Sequence, residues 1–230
     1  QQKSLSWEDK EQMEKLVEKQ LELQKQLEAT QKKLEEKQQN QEEVKPLDQE
    51  QKEKQDKITD MMKEMQTPAK DSLMDRINEL LQKLDKKEYV NQLDQMKKQN
   101  DQFNKSMERM MELLKTLELE NKVKEQVDEL NKLAEKQDKL ADKTQNKDSN
   151  QDQLKKDQED IKKSFDDVKK KMDEIQKDNE KLDVPKKLDG QHTEQDKVDQ
   201  DLKDAKENQN KKQNSKASQS QKGASKKMKQ

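Results

Sequence analysis

The side chains that most often carry chemistry are scarce in this chain. It has one histidine, His192, and no cysteine, so we expect neither a histidine pair on zinc nor a serine–histidine arrangement, and a thiolate site is excluded. Its two glycines, Gly190 and Gly223, lie far apart, whereas a phosphate-binding loop needs several glycines close together. We therefore predict no catalytic residues, and we interpret His192 as a solvated linker residue.

One group of oxygen ligands has the spacing of a calcium-binding loop. Asp148, Asn150, Asp152 and Glu159 occupy positions 1, 3, 5 and 12 of such a loop. Gln153, however, stands where the sharp turn of the loop requires glycine, and aspartate is abundant throughout the chain. We therefore predict no calcium site, and we expect no other metal and no cofactor.

Methionine is the unusual excess, with 11 residues in the chain. It forms two clusters that a helix would present on one side: Met61, Met62 and Met65, and Met107, Met110 and Met111. Thioether sulfur suits Cu(I), and flexible methionine surfaces suit adaptable protein partners. The surrounding apolar pattern favours a third interpretation, in which these methionines fill the packing face between helices.

The composition argues against a wide globular core. Charged residues make up 45% of the 230 residues, apolar residues 25% and aromatic residues 2%, which is typical of long helices and coiled coils. Such a chain can form narrow apolar contacts between helices, but it can scarcely form a pocket that excludes water. We therefore predict that the protein is not an enzyme.

Apolar residues recur along the chain at alternating spacings of three and four residues. This period places them on one face of a helix, and a narrow stripe of this kind predicts the seam of a coiled coil. The stripe is densest in residues 72–141, where 25 of the 70 residues are apolar. We define as seam residues the sixteen that we expect to hold the helices together: Leu16, Leu23, Leu27, Leu80, Leu84, Phe103, Met107, Met110, Leu114, Leu117, Leu154, Ile161, Phe165, Val168, Met172 and Ile175.

Prolines and polar runs predict where helices end, because proline lacks an amide proton and disfavours helix at the preceding residue. The predicted turns lie at Pro46, Pro68, Asp85 and Asn146. They divide the chain into a long helix in 1–45, a central helical hairpin region in 46–143, a heptad helix in 144–184, and a weak helix with a disordered tail in 185–230. Residues 86–143 fit one helix with a stutter, which we favour, or two helices. The predicted fold class is all-α, with elongated antiparallel coiled-coil hairpins or an open helical bundle.

Several polar residues fall within the predicted seams. Gln158 and Asn179 interrupt the regular heptad of residues 154–182, and Gln137 lies between Val127 and Ala141 in the preceding one. Polar residues in a seam lower stability and commonly fix the register or the number of partners.

The C-terminal tail differs from the rest of the chain in charge. Residues 205–230 contain eight lysines and one glutamate, a local charge of +7, in a chain with a net charge of -2. Such a tail can contact anionic lipid or nucleic acid, but it has no aromatic residue to stack on bases, so we predict no specific nucleic-acid binding. Beyond about Asn208 the apolar surface is too small to offset the entropy of ordering, which predicts disorder.

The order of several blocks resembles large bacterial membrane proteins of domain-of-unknown-function family 4175. The blocks are residues 5–10 (LSWEDK), 16–27, 107–119 and 130–137 (LNKLAEKQ), so the similarity covers about residues 1–145. The resemblance implies a helical segment of a longer cell-envelope protein whose membrane anchor lies outside this fragment, which fits a chain that begins with Gln1. It implies no catalytic residues.

Together these patterns predict a structural scaffold or spacer that meets protein partners, or further copies of itself, through coiled coils. The alternative is a chaperone-like or adaptor clamp that binds protein clients through its methionine-rich face. The residues alone do not fix the compartment; the resemblance implies the bacterial cell envelope, with the soluble part outside the inner membrane.

Overall fold

A computed structural model describes residues 7–42, 49–65, 86–146, 149–188 and 191–230. These residues form six helices and no strand, so the protein is all-helical as predicted. The helices are α1 (Trp7–Glu42), α2 (Gln49–Glu64), α3 (Lys86–Gln145), α4 (Gln151–Asn179), α5 (Gln191–Asn210) and α6 (Asn214–Met228). Within those ranges no helix is both long and apolar enough to cross a bilayer.

The chain divides into two compact units, Gln1–Leu117 and Glu118–Gln230, which we call the N-terminal and C-terminal units. The division falls inside α3, which the sequence allowed to be one helix or two and which is one helix of 60 residues. It also falls inside the region 46–143 that we treated as one segment. Prolines and polar runs mark helix ends, whereas this division marks a change of packing partners along a continuous helix.

The N-terminal unit packs α1, α2 and the first part of α3 around two apolar clusters. Met13 and Val17 of α1 meet Leu93 and Met96 of α3 in the smaller cluster. The larger cluster contains Leu23, Leu27, Leu34, Ile58, Met62, Met65, Phe103, Met107, Met110 and Leu117. Two contacts between sequence-distant residues, each defined by one hydrogen bond, give the direction of the helices. Asn100 donates to the backbone oxygen of Leu16 (3.1 Å) and Thr30 donates to Met111 Sδ (4.0 Å), so α1 and α3 run parallel.

The C-terminal unit is a four-helix bundle in which each helix runs antiparallel to its neighbours. An ion pair or hydrogen bond joins each neighbouring pair: Lys122 to Asp178 between α3 and α4, Lys206 to Glu159 between α5 and α4, Lys227 to Asp201 between α6 and α5, and Lys229 to Asp138 between α6 and α3. Because α6 contacts both α5 and α3, it closes the bundle.

Helix α4 contributes the most regular face of this core. Its buried residues are eight of the nine in the predicted heptad, the ninth being Leu182 beyond the end of the helix: Leu154, Gln158, Ile161, Phe165, Val168, Met172, Ile175 and Asn179. The helix begins where the Asn150 side chain accepts hydrogen bonds from the backbone nitrogens of Asp152 (3.0 Å) and Gln153 (3.2 Å), which satisfies two amides that have no partner inside the helix.

The predicted disorder of the C-terminal tail is not confirmed, because residues 214–228 form α6. Its buried residues are Ala217, Ser218, Gln221, Ala224, Ser225 and Met228. Small and polar side chains of this kind carry almost no hydrophobic signal in a sequence, but they let helices approach closely and form hydrogen bonds. A Cβ built on Gly223 would lie 2.7 Å from Oδ2 of Asp201, so the Asp201 carboxylate of α5 lies directly over Gly223 of α6.

Two residues of the apolar pattern in α3, Val90 and Val127, are exposed and not buried as the pattern predicts. Val127 is 48% exposed, whereas Leu133, Ala134, Gln137 and Ala141 are buried. The buried face of α3 follows its partners in the bundle and not the apolar pattern alone. The predicted turns at Pro46, Pro68 and Asp85 lie outside the described residues, as do Asp148 of the calcium pattern and Gly190.

Candidate functional site: a buried glutamine layer

The structure buries most of the predicted seam. Twelve of the sixteen seam residues are buried, six in each unit: Leu23, Leu27, Phe103, Met107, Met110, Leu117, Leu154, Ile161, Phe165, Val168, Met172 and Ile175. Leu16 and Leu114 are partly buried against these clusters, and Leu80 and Leu84 lie outside the described residues. These residues are divided between the cores of the two units and do not form one site.

The two methionine clusters meet in the core of the N-terminal unit. Met62, Met65, Met107 and Met110 are buried in one cluster, and Met61 packs against it partly exposed. Met111 is 39% exposed and accepts a hydrogen bond from Thr30. Most of these thioethers therefore fill space between helices, and Met111 is the member that reaches the surface most.

Each helix of the C-terminal unit buries at least one glutamine; α3 buries Gln126 in addition to Gln137. Gln137 of α3, Gln158 of α4, Gln209 of α5 and Gln221 of α6 are all almost fully buried. We call these four residues the glutamine layer. A buried amide costs free energy unless it is hydrogen-bonded, so the partners of the four amides determine whether the layer stabilises one arrangement of the helices.

Hydrogen bonds link three of the glutamines directly. Gln137 and Gln158 exchange two bonds, with Nε2 to Oε1 distances of 3.0 and 3.3 Å, and Gln221 donates to Oε1 of Gln158 at 2.9 Å. Gln209 instead donates to the backbone oxygen of Leu154 at 3.5 Å. Gln158 is the centre of the layer, because it bonds α4 to both α3 and α6.

The layer is not fully satisfied. Oε1 of Gln209, Oε1 of Gln221 and the hydroxyl oxygen of Ser218 are buried and accept no hydrogen bond from the described residues. An unsatisfied buried polar atom costs about 1–3 kcal/mol. All three residues lie on α5 or α6, and Oε1 of Gln126 on α3 is likewise buried without a hydrogen bond from the described residues.

Ionic contacts fix α6 to the bundle from both sides. Lys222 and Lys229 pair with Asp142 and Asp138 of α3 at 3.2 and 2.7 Å. On the other side Lys227 pairs with Asp201 of α5 at 2.7 Å. These pairs neutralise much of the lysine-rich tail that the sequence presented as a free basic segment.

A hydrogen bond to the backbone adds to the contact between α6 and α3. The hydroxyl of Ser225 donates to the backbone oxygen of Ala134 at 2.9 Å, and both residues are buried. A second group near this contact is Asp138: partial burial raises its pKa, but the hydrogen bond from Lys229 and the charges of Lys229 and Lys222 outweigh burial and lower it. Asp138 therefore carries its negative charge at all but acidic pH.

Asp199 of α5 holds the corresponding position between α5 and α4. Its carboxylate pairs with Lys162 at 3.1 Å and with Lys169, and all three side chains are largely shielded from solvent. Burial raises the pKa of Asp199, but the hydrogen bonds and charges of the two lysines outweigh it, so the pKa is lowered. The carboxylate is therefore ionised wherever the bundle is folded near neutral pH.

Asn179, the second polar residue of the α4 heptad, closes the other end of the helix. Its side chain accepts a hydrogen bond from the backbone nitrogen of Lys186 at 2.7 Å and donates to the oxygen of the same residue at 2.8 Å. This pair of bonds folds residues 180–188 back over the end of α4. The sequence placed Asn179 in the seam, but its partner lies in the following loop.

The sequence predicted two members of the glutamine layer and missed the other two. Gln137 and Gln158 stand in regular apolar heptads, which is why they were recognised. Gln209 follows Val198, Leu202 and Ala205 at the same alternating spacing, and this period was the signal that could have placed it on the buried face, although we predicted disorder beyond about Asn208. The buried face of α6 consists mostly of alanine, serine and glutamine, so the hydrophobic pattern of the sequence could not reveal Gln221.

The arrangement is suited to helix packing and not to acid–base chemistry. Its central groups are neutral amides, and its ionised groups are salt-bridged at the rim. His192, which was predicted in a linker, lies in the first turn of α5 and is exposed. No protein family, no curated protein and no solved structure matches the chain. The resemblance to family 4175 therefore stays a prediction.

Proposed function

We propose that the protein is a non-enzymatic helical scaffold, with α3 as the element that links two separate packing units. The observation that carries this proposal is the division of α3 between two cores. Phe103, Met107 and Met110 belong to the N-terminal core, whereas Leu133 and Leu140 belong to the C-terminal core. A continuous helix transmits position better than a flexible loop, which is the property that a spacer needs.

The finer architecture that we propose is a set of coiled-coil hairpins. The hairpin of α3 and α4 supports this, since its seam combines a regular heptad with the paired glutamines Gln137 and Gln158. A paired polar group in an apolar seam fixes register, because a shifted register would bury both amides without partners. A scaffold needs one fixed register more than it needs maximal stability.

A pair of insertions tests the scaffold. The chain has no cysteine, so Lys63→Cys in α2 and Lys170→Cys in α4 can carry spin labels, and both lysines are well exposed. Inserting Gly-Gly-Ser after Leu117 should broaden the distance distribution between the labels, whereas the same insertion after Asn210 should leave it unchanged. Equal distributions for the two insertions would contradict a linking role for α3.

The cellular setting of the scaffold follows from the resemblance alone. As part of a protein similar to family 4175, the chain would stand in the bacterial cell envelope and bind protein partners or further copies through its helices.

Small-angle scattering with sedimentation tests the proposed elongated shape. A maximum dimension close to that of a sphere of 27.4 kDa would contradict it.

The exposed side chain of Met111 supports a second function, a clamp for protein clients. Flexible methionine surfaces adapt to different partners. Light scattering of an aggregating client measures this directly: Met111→Glu should reduce suppression of aggregation, while Lys105→Glu on the same helix should not. If the unmodified chain leaves client aggregation unchanged, the clamp is excluded.

A further inference from the structure

We propose that α6 is exchanged between two copies of the chain, so that each α6 completes the four-helix bundle of the other copy. The proposal goes beyond the scaffold function, because it rests only on contacts within the C-terminal unit. The proposed partner is a second copy of the chain. The groove that accepts its α6 is the face of α3, α4 and α5 that α6 covers in this structure.

The turn between α5 and α6 is the first observation that points to exchange. The backbone nitrogen of Gln213 bonds to the oxygen of Asn208 at 2.8 Å, and that of Lys212 to the oxygen of Gln209 at 3.0 Å. This is the Schellman ending of a helix, in which the residue with left-handed backbone is usually glycine. Here that residue is Lys212, with φ of 57°, and no other non-glycine residue among those described has positive φ.

A short turn with a strained residue favours domain swapping, because opening the turn relieves the strain. Residues 208–216 contain neither proline nor glycine, so α5 and α6 can continue as one helix when the turn opens. The opened α6 then leaves its own bundle with its packing face uncovered. A second opened copy offers the matching groove.

The groove and α6 match in charge as well as in shape. Asp138 and Asp142 line its α3 side and Asp201 its α5 side, opposite Lys229, Lys222 and Lys227 of α6. Gln158 and the backbone oxygen of Ala134 provide two hydrogen-bond acceptors on its floor. Because every copy carries both the groove and the helix, two copies satisfy each other without any new contact.

Few of the contacts that hold α6 in its groove are apolar, which favours exchange. Its apolar contribution to the core is limited to Ala217, Ala224 and Met228, and its other buried side chains are polar. Ion pairs at a partly exposed rim contribute little to stability. The helix therefore leaves the groove at a smaller free-energy cost than α4, whose buried face includes Ile161, Phe165 and Ile175.

Crosslinking between copies tests the exchange directly. Two full-length variants with different tags, Asp138→Cys and Lys229→Cys, are co-expressed and treated with a short bis-maleimide. Exchange places residue 229 of one copy beside residue 138 of the other, so a covalent dimer of both tags is expected. Each variant expressed alone measures the background of random links, and a chain with both substitutions measures the link within one copy.

Substitutions in the turn give the second readout. Lys212→Gly removes the strain and should lower the exchanged fraction roughly tenfold or more, whereas Lys212→Val should raise it. Lys211→Val is the matched control, since Lys211 has no positive φ. The proposal is overturned if the mixed dimer does not exceed the background of the single variants, or if its yield is unaffected by both substitutions of Lys212. A double variant without any link would equally overturn it, because α6 would then not lie on α3.

Discussion

At the scale of single residues, Gln158 connects three helices through one amide. Its Oε1 accepts hydrogen bonds from Gln137 and Gln221, and its Nε2 donates to Gln137. Replacing it with an apolar residue does not merely remove these bonds; it leaves two buried amides without partners. Substitutions at this position therefore distinguish two contributions to the free energy of unfolding: the small net gain from a hydrogen bond and the larger cost of an unpaired buried polar group.

We expect Gln158→Leu to lower the free energy of unfolding by about 2–4 kcal/mol, since Gln137 and Gln221 both lose their partner. Urea unfolding followed by circular dichroism measures this loss. The triple variant with leucine at positions 137, 158 and 221 is the control, because it removes all three amides at once and should recover most of the stability. A triple variant less stable than Gln158→Leu would contradict the account.

Asp199 makes the stability of the bundle depend on pH. Its pKa is lowered in the folded chain, so the ion pairs stabilise the fold fully above the ordinary aspartate pKa of about 3.9, and this stabilisation is lost as the pH falls through the lowered value. We expect Asp199→Asn to lower stability at pH 7 by about 1 kcal/mol and to reduce the further loss between pH 5 and pH 2. Unfolding curves across that range, with the exposed Asp167→Asn as control, measure the difference. Parallel curves for the two variants would show that Asp199 does not carry the effect.

At the scale of helices, the Asp201 carboxylate of α5 lies over Gly223 of α6. Alanine in a helix is normally more stable than glycine, by roughly 0.5–1 kcal/mol. Here the added methyl group would force the Asp201 carboxylate to move away from Lys227. We therefore expect Gly223→Ala to leave the stability of the bundle nearly unchanged, because displacing the carboxylate from its ion pair offsets the gain in helix formation.

A double-mutant cycle separates the two effects of this methyl group. In the background of Asp201→Ala the contact is absent, so Gly223→Ala should become stabilising by about 0.5 kcal/mol. Thermal unfolding of the four variants provides the comparison. If the two backgrounds respond alike, the close approach of Gly223 and Asp201 does not control the packing.

The same helices show what a sequence can predict and where it stops. The face of α4 was predictable residue by residue, because branched and aromatic side chains recur there at heptad spacing. Helix α6 was not, because its buried side chains are alanine, serine and glutamine, whose burial is favourable only when α3 and α4 provide the Ala134 oxygen and the Gln158 amide. Gln137 and Gln158 could be placed in a seam, but their pairing depends on the register of a hairpin that the sequence does not specify.

At the scale of the molecule, α3 belongs to two cores that the apolar pattern does not distinguish. Leu117 packs in the N-terminal unit and Leu119 in the C-terminal unit, although both stand in the same run of the sequence. The break in heptad spacing lies between these two residues. The stutter in the sequence thus coincides with the point where α3 passes from the N-terminal core to the C-terminal core.

A substitution that destabilises one of the two cores on α3 should leave the other core unaffected. Phe165 is among the largest fully buried side chains of the C-terminal unit, so Phe165→Ala should cost that unit about 3–5 kcal/mol. Hydrogen exchange measured by mass spectrometry should then show faster exchange in α4, α5 and α6, with α1 and α2 unchanged. Met110→Ala, at a fully buried position of the other core, is the matched control and should accelerate exchange in α1 and α2 alone. Equal acceleration in both sets of helices by either substitution would mean that the chain unfolds as one cooperative unit, and α3 would then join two parts of a single core.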